Sequence, residues 1–231
     1  MNKLVFDIET AGEKFEDLDE TSKELLDQRF KKRAQTEEEL ELFRTQLSFY
    51  PETSKIVAIG MLNPDTEKGT ALYLAEKAGE AIQEKGIEYQ PITSEKELLE
   101  KFWQIALSYE EFITFNGRGF DLPVLMVRSA VNGIRPAKNL MHNRYLSYQP
   151  TSVVHIDLFD QLSFYGARYN ALGLHFWARA FGINSPKEEL SGEKVTEYFY
   201  RGKRLEIAKY CMNDVFATAE LYKKWDKYLR F

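Results

Sequence analysis

The chain is poor in the residues that build covalent or soft-metal scaffolds. Of 231 residues one is cysteine, Cys211, and three are histidine. A single thiol excludes an internal disulfide and every zinc site that needs cysteine pairs. A reducing, cytoplasmic setting is the expectation that follows. His142, His155 and His175 are scattered without ligand spacing and read as structural or surface residues. No apolar run approaches the roughly 18 residues of a membrane-spanning helix. No charged start with an apolar stretch behind it precedes the first strand, so neither a membrane span nor a secretion signal is expected. Excess positive charge is missing too. A net charge of −5 excludes a surface that coats duplex nucleic acid, but not a site that grips a few nucleotides through metal ions. Repeats, low-complexity segments and linkers are absent. What remains, 44% hydrophobic and 29% charged, suits one globular α/β domain over 1–231.

The stretch Lys3–Thr10, KLVFDIET, organises the rest. Leu4, Val5, Phe6 and Ile8 mark a buried strand. Asp7 and Glu9 interrupt it, and side chains two apart on a strand share a face. Two neighbouring buried anions are costly unless a cation lies between them, and a divalent metal meets that need. Two exposed acids at a frayed strand end are the plainer alternative.

An acidic stretch follows, Glu13 to Arg44, with eleven acids against seven basic residues. Leu25, Leu26, Phe30 and then Leu40, Phe43, Leu47 recur at helical spacing, which predicts two amphipathic helices in an insertion over 13–50. A solvated flap, a cap over the site and a protein-partner surface all fit residues 13–44. Lys55–Leu62 and Thr70–Leu74 read as a hairpin around Asn63-Pro64-Asp65. Ser94 and Glu97 form a capping box for a helix to Leu107. Phe112–Phe115 is a strand leading into Asn116-Gly117-Arg118-Gly119-Phe120-Asp121, a tight turn that sets Asp121 at a helix start. From Phe112 to Ile156 five basic residues face one acid before Asp157, with Tyr145 and Tyr148 among them, a mixture suited to single-stranded nucleic acid. Val153–Leu158 is a further strand, and Asp157 at its end reads as a cap for the next turn. A helix through Leu174–Phe181 stops at Gly182, a short one covers about 194–200, and a last one spans Arg204 to Tyr228. Tyr210 and Asp214 share one face of it. Cys211, their neighbour, reads as packing.

Asp7, Glu9, Asp121 and Asp214 are acids that interrupt apolar segments, and an all-carboxylate set suits Mg²⁺ or Mn²⁺. Two such ions serve phosphodiester hydrolysis, and the Tyr210 hydroxyl is placed to orient a water.

Asp7-Ile8-Glu9-Thr10, the Asn116-Gly117…Phe120-Asp121 turn and Tyr210-Cys211-Met212-Asn213-Asp214 together resemble the three motifs of the DEDD superfamily of 3′–5′ exonucleases. The detail is most similar to stand-alone exonucleases related to the proofreading domain of family-B DNA polymerases. Tyrosine four residues before the last aspartate, with Lys209 where another branch has histidine, marks the DEDDy branch. The resemblance implies a ribonuclease H-like fold: a central mixed sheet flanked by helices, with the helical insertion after its first strand. It implies that Asp7 bridges two Mg²⁺ or Mn²⁺ ions, Glu9 and Asp214 complete the first site, and Asp121 holds the second. Tyr210 positions the attacking water; Asn116, Arg118 and Phe120 contact the terminal nucleotide. The expected reaction releases nucleoside 5′-monophosphates from the 3′ end of single-stranded DNA, in repair for example. The same chemistry on RNA and a silent nucleic-acid-binding module are the alternatives.

Overall fold

The computed structural model describes residues 1–183 and 191–230. In chain order the elements are β1 (Lys3–Gly12), α1 (Glu20–Lys31), α2 (Glu37–Thr45), β2 (Ser54–Asn63), β3 (Lys68–Leu74), β4 (Ile82–Glu84) and β5 (Ile87–Ile92). Then come α3 (Glu95–Ala106), β6 (Glu111–Thr114), α4 (Asp121–Val131), β7 (Val154–Asp157), α5 (Leu158–Leu162), α6 (Leu174–Ala180), α7 (Val195–Tyr200) and α8 (Arg204–Tyr228). The polar connection expected from Ser185 lies outside the described residues as far as 190; its short helix is α7.

The seven strands form one mixed sheet in the order β4-β5-β3-β2-β1-β6-β7. β2 runs antiparallel to β1 and β3, and β6 and β7 run parallel to β1. This is the ribonuclease H-like arrangement that the motifs imply, with β1 inside the sheet between β2 and β6. The β4–β5 ribbon was not anticipated from sequence. Its strands are short, and Pro91 interrupts the β5 pattern, a position an edge-side strand tolerates.

Alternation along β1 sorts its side chains between two layers. Phe6 packs on Phe102 of α3, ring centroids 5.4 Å apart. Asp7 points the other way, towards α8, whose Cys211 sulfur lies 3.6 Å from Asp7 Oδ2. α3 and α8 therefore cover opposite faces. Local chemistry starts the helices where expected. Ser94 Oγ accepts from Glu97 N at 3.2 Å, while the Glu97 carboxylate takes the Thr93 hydroxyl. The helix after Gly173 ends before Gly182, whose φ of 68° suits glycine.

The insertion forms the two expected helices, α1 and α2, capped by Asp19 and Thr36. They close over their own small core of Leu18, Phe30, Leu40 and Leu47, distinct from the main core of the sheet. The Thr10 hydroxyl donates to Ser48 O at 2.8 Å and ties the end of the insertion back to β1.

Candidate active site

Three segments deliver the acids to one place. On β1, Asp7 and Glu9 share the α8 face, and the register slips just after Glu9. Such an irregularity bends a strand and re-aims its side chains. Glu9 is buried, at 8% exposure, and Asp7 is half-buried.

Asp121 comes from the first turn of α4. β6 ends at Thr114, and the chain reverses through Asn116 at φ 61°, a left-handed value that asparagine tolerates. A Cβ on Gly117 would lie 2.2 Å from Thr114 Oγ1, so only glycine fits this reversal. Asp157, at the end of β7, accepts from the backbone N–H of Asn116 (2.8 Å), Arg118 (2.9 Å) and Phe159 (3.0 Å). It therefore caps α5 as expected and also clamps the turn that presents Asp121. Asp121 Oδ1 then accepts from Ile8 N at 3.1 Å, between Asp7 and Glu9 on β1.

α8 supplies Asp214, with the Tyr210 hydroxyl hydrogen-bonded to it from one turn earlier. This approach depends on Gly60, the β2 partner of Asp7. A Cβ there would come within 3.0 to 3.1 Å of Val215, Cys211 and Met212 side-chain atoms. With no side chain in the way, Gly60 N donates to Cys211 Sγ at 3.2 Å, and the thiol donates to Asp7 O at 3.3 Å. Cys211 is thus more than packing: it lies against the carboxylates. Oxygen atoms of Asp7 and Glu9 and the Cys211 sulfur all lie within 4.8 Å of one another. The sequence held no signal for this, because adjacent helix positions face apart and only the depth of α8 on the sheet brings both inward. Lys209, by contrast, pairs with Glu84 of β4 at 2.6 Å, at the sheet edge.

The electrostatics record the crowding. Burial pushes the Asp7 carboxyl well above its usual range, and Asp121, Glu9 and Asp214 push it further. Burial raises Asp121 to about 7, against the opposing hydrogen bond from Ile8 N. Asp214 rises to about 6 for the same reason, moderated by the Tyr210 hydroxyl. The Cys211 thiol is pushed up by burial and by Asp7, so it stays protonated. His155 lies beside this region, its Nε2 2.9 Å from Thr114 Oγ1, and burial lowers it to about 3. It is a neutral structural residue, while His142 and His175 are exposed. Carboxylates that raise one another's pKa are a site that a divalent cation stabilises: the donor set fits Mg²⁺ or Mn²⁺.

The residues expected around the terminal nucleotide occupy the rim. Asn116 is exposed at the turn. The Arg118 guanidinium donates to Asn143 O at 3.1 Å and to Met141 O at 3.4 Å, so it braces the 139–150 loop, and with Asn116 it lines a hollow beside the turn. Phe120 is half-buried, and Phe49, from the end of the insertion, packs edge-on to it at 6.1 Å. Phe49 itself is 46% exposed. Its place beside the site could not be read from sequence, since 71 positions separate it from Phe120.

Comparison with known proteins identifies the family of the chain. Residues 49–229 match the family described as predicted 3′–5′ exonucleases related to the exonuclease domain of PolB, and the chain belongs to that family. The match takes in the Asn116–Asp121 turn and Tyr210–Asp214; Asp7 and Glu9 precede it and join the site through the fold. Among curated proteins, the chain is 26% identical over 170 residues to a DNA polymerase of Desulfurococcus sp. (strain Tok). It is 27% identical over 173 residues to DNA polymerase 1 of Saccharolobus solfataricus. Each match covers 66% of this chain but only 21% and 19% of those polymerases.

Proposed function

We propose that this chain is a metal-dependent 3′–5′ exonuclease that removes nucleoside 5′-monophosphates from single-stranded DNA. The observation that carries the reading is the convergence of Asp7, Glu9, Asp121 and Asp214 from β1, α4 and α8, joined by the Asp121–Ile8 hydrogen bond. Asp7, Glu9 and Asp214 would hold one ion, with Asp7 and Asp121 at a second. Two ions so held stabilise the attacking and leaving oxygens of an in-line displacement at phosphorus.

The protein's own groups do the rest. Tyr210 projects its hydroxyl to Asp214 and would orient the attacking water there. The Cys211 thiol, which accepts from Gly60 N of β2, lies 3.6 Å from Asp7 Oδ2 and helps to seat that carboxylate. Phe49 and Phe120 offer ring edges to the terminal base, and Asn116 and Arg118 border the position of its phosphate. Similarity to DNA polymerases favours DNA over RNA as substrate.

The test is cleavage of 3′- and 5′-labelled single-stranded DNA and RNA with Mg²⁺, Mn²⁺ or EDTA, beside Asp7→Asn. Mononucleotides should leave the 3′ end only when metal is present. Asp7→Asn should lower the rate by about 10²-fold or more, as loss of a preorganised charge at a reacting centre does. Wild-type turnover by Asp7→Asn would refute the site. Preference for RNA would replace the DNA reading and leave the mechanism.

A further inference from the structure

Two hollows in the surface are lined by neighbouring stretches of the chain. The first, about 330 Å³, lies beside the turn that carries Asp121 and is lined by Asn116, Arg118, Arg144 and Phe159 among others. The second, about 530 Å³, lies beyond it, lined by Leu146, Phe164, Tyr165, Trp225 and Arg230 among others. The run from Arg144 to Ser147 borders both, and so does the run from Phe159 to Tyr165. Tyr145, next in sequence to Arg144, packs on Tyr165 of the second hollow, ring centroids 4.7 Å apart. Set side by side, the two hollows form a broken groove from the Asn116–Asp121 turn to the C-terminal end of α8.

The groove has a particular chemistry. The charged residues that line the hollows are Arg118, Arg144, Asp157 and Asp160 in the first and Arg230 in the second. Both acids are buried, at 3% and 5% exposure, while all three arginines reach the surface. On a chain of net charge −5, the side chains these linings present to solvent are cationic or neutral. Arg144 spends two donors on Asp160, at 2.9 and 2.5 Å, and a guanidinium has five. Aromatic rings stand between the charges: Tyr145 is 47% exposed and Phe164 57%.

The backbone under Phe164 and its neighbour Tyr165 is strained. Phe164 and Tyr165 both have positive φ, 51° and 56°, a conformation that bulky residues rarely adopt. Hydrogen bonds from Tyr165 N to Asp160 O (2.7 Å) and from Arg168 N to Ser163 O (2.9 Å) hold the turn. The strain does not serve to bury Phe164, whose ring stays more than half in solvent. Strain kept at an exposed aromatic points to a contact with something outside the chain.

We propose that this groove holds the upstream nucleotides of a single-stranded nucleic acid, with Arg118 and Arg144 beside phosphates and Tyr145 and Phe164 under bases. The inference rests on the exonuclease reading for its direction, since it leads away from the carboxylates that would hold the 3′ end. Rings alone would suit an apolar peptide; the arginines and the buried acids add complementarity to a polyanion with stacking faces.

The experiment measures binding, in EDTA so that nothing is cut, of a fluorescent single-stranded dodecamer and of a dinucleotide. The full chain is compared with Tyr145→Ala/Phe164→Ala and with Phe164→Trp. The gain in affinity from dinucleotide to dodecamer should shrink about tenfold in the double variant, the scale of lost base–aromatic stacking. Phe164→Trp, which keeps a stacking face, should retain the wild-type gain. An unchanged gain in the double variant overturns the groove, and so does a tryptophan variant that behaves like alanine or a wild-type chain that binds no dodecamer. Groove-dependent binding without release of nucleotides in Mg²⁺ would sustain the groove and refute the exonuclease. Release of nucleotides with groove-independent binding would do the reverse.

Discussion

Asp121 and Asp214 stand at about 7 and about 6 in the folded chain, against an ordinary 3.8 for each. A carboxyl whose folded value is raised binds more protons folded than unfolded, so stability falls as pH rises between the two values. The metal-free protein should therefore lose stability from about pH 4 to about pH 7, as far as these two groups decide it. His155 has the opposite sign. Its folded value of about 3 lies below the usual 6.5, so its contribution is complete above pH 6.5 and is lost on acidification below it. Melting temperature followed across this range with EDTA should show a decline towards neutral pH that Mg²⁺ reverses. A neutral-pH melting temperature indifferent to Mg²⁺ would contradict a cation site among these acids. Asp121, Asp214 and Tyr210 were all legible as residues. The shifted acidities of the two aspartates were not, because burial and mutual repulsion belong to the assembled site.

At the scale of the element, α8 and the insertion carry separate consequences. α8 sits on β2 at the depth that Gly60 allows. Gly60→Ala should cost about 1–3 kcal/mol, the range for overpacking a core, and should lower metal affinity as Cys211 and Asp214 shift from Asp7. Denaturant unfolding and metal titration of the variant would check both, and unchanged values would show that the helix tolerates the methyl. The insertion has its own core, so its failure should be local. Phe30, 1% exposed and packed on Phe43, anchors it. Phe30→Ala should cost that core about 3–5 kcal/mol, opening α1 and α2 to limited proteolysis while the main melting transition persists. Coincident loss of the whole fold would show that the sheet depends on the insertion. The two helices were legible from leucine and phenylalanine spacing, whereas their closure over a private core was not, because pattern shows which face is apolar and not what covers it. The β4–β5 ribbon escaped notice for a related reason: short edge strands carry too few residues for a period.

For the molecule as a whole, no helix among the described residues is long and apolar enough to cross a membrane, and the architecture follows the order of elements along the chain. Much of that order was set by sequence alone. Apolar runs marked β1, β2, β6 and β7, capping residues marked α3, and three short motifs identified the family, because periodicity, capping and motif spacing are local properties of a chain. The tertiary structure decided what is not local. It placed Asp121 against Ile8 across 113 positions, brought Cys211 onto Asp7, set Phe49 of the insertion beside Phe120, and packed Tyr145 on Tyr165. The physical reason is the same in each case: sheet order and helix depth determine which distant side chains meet, and those are settled by burying the common core rather than by any one segment.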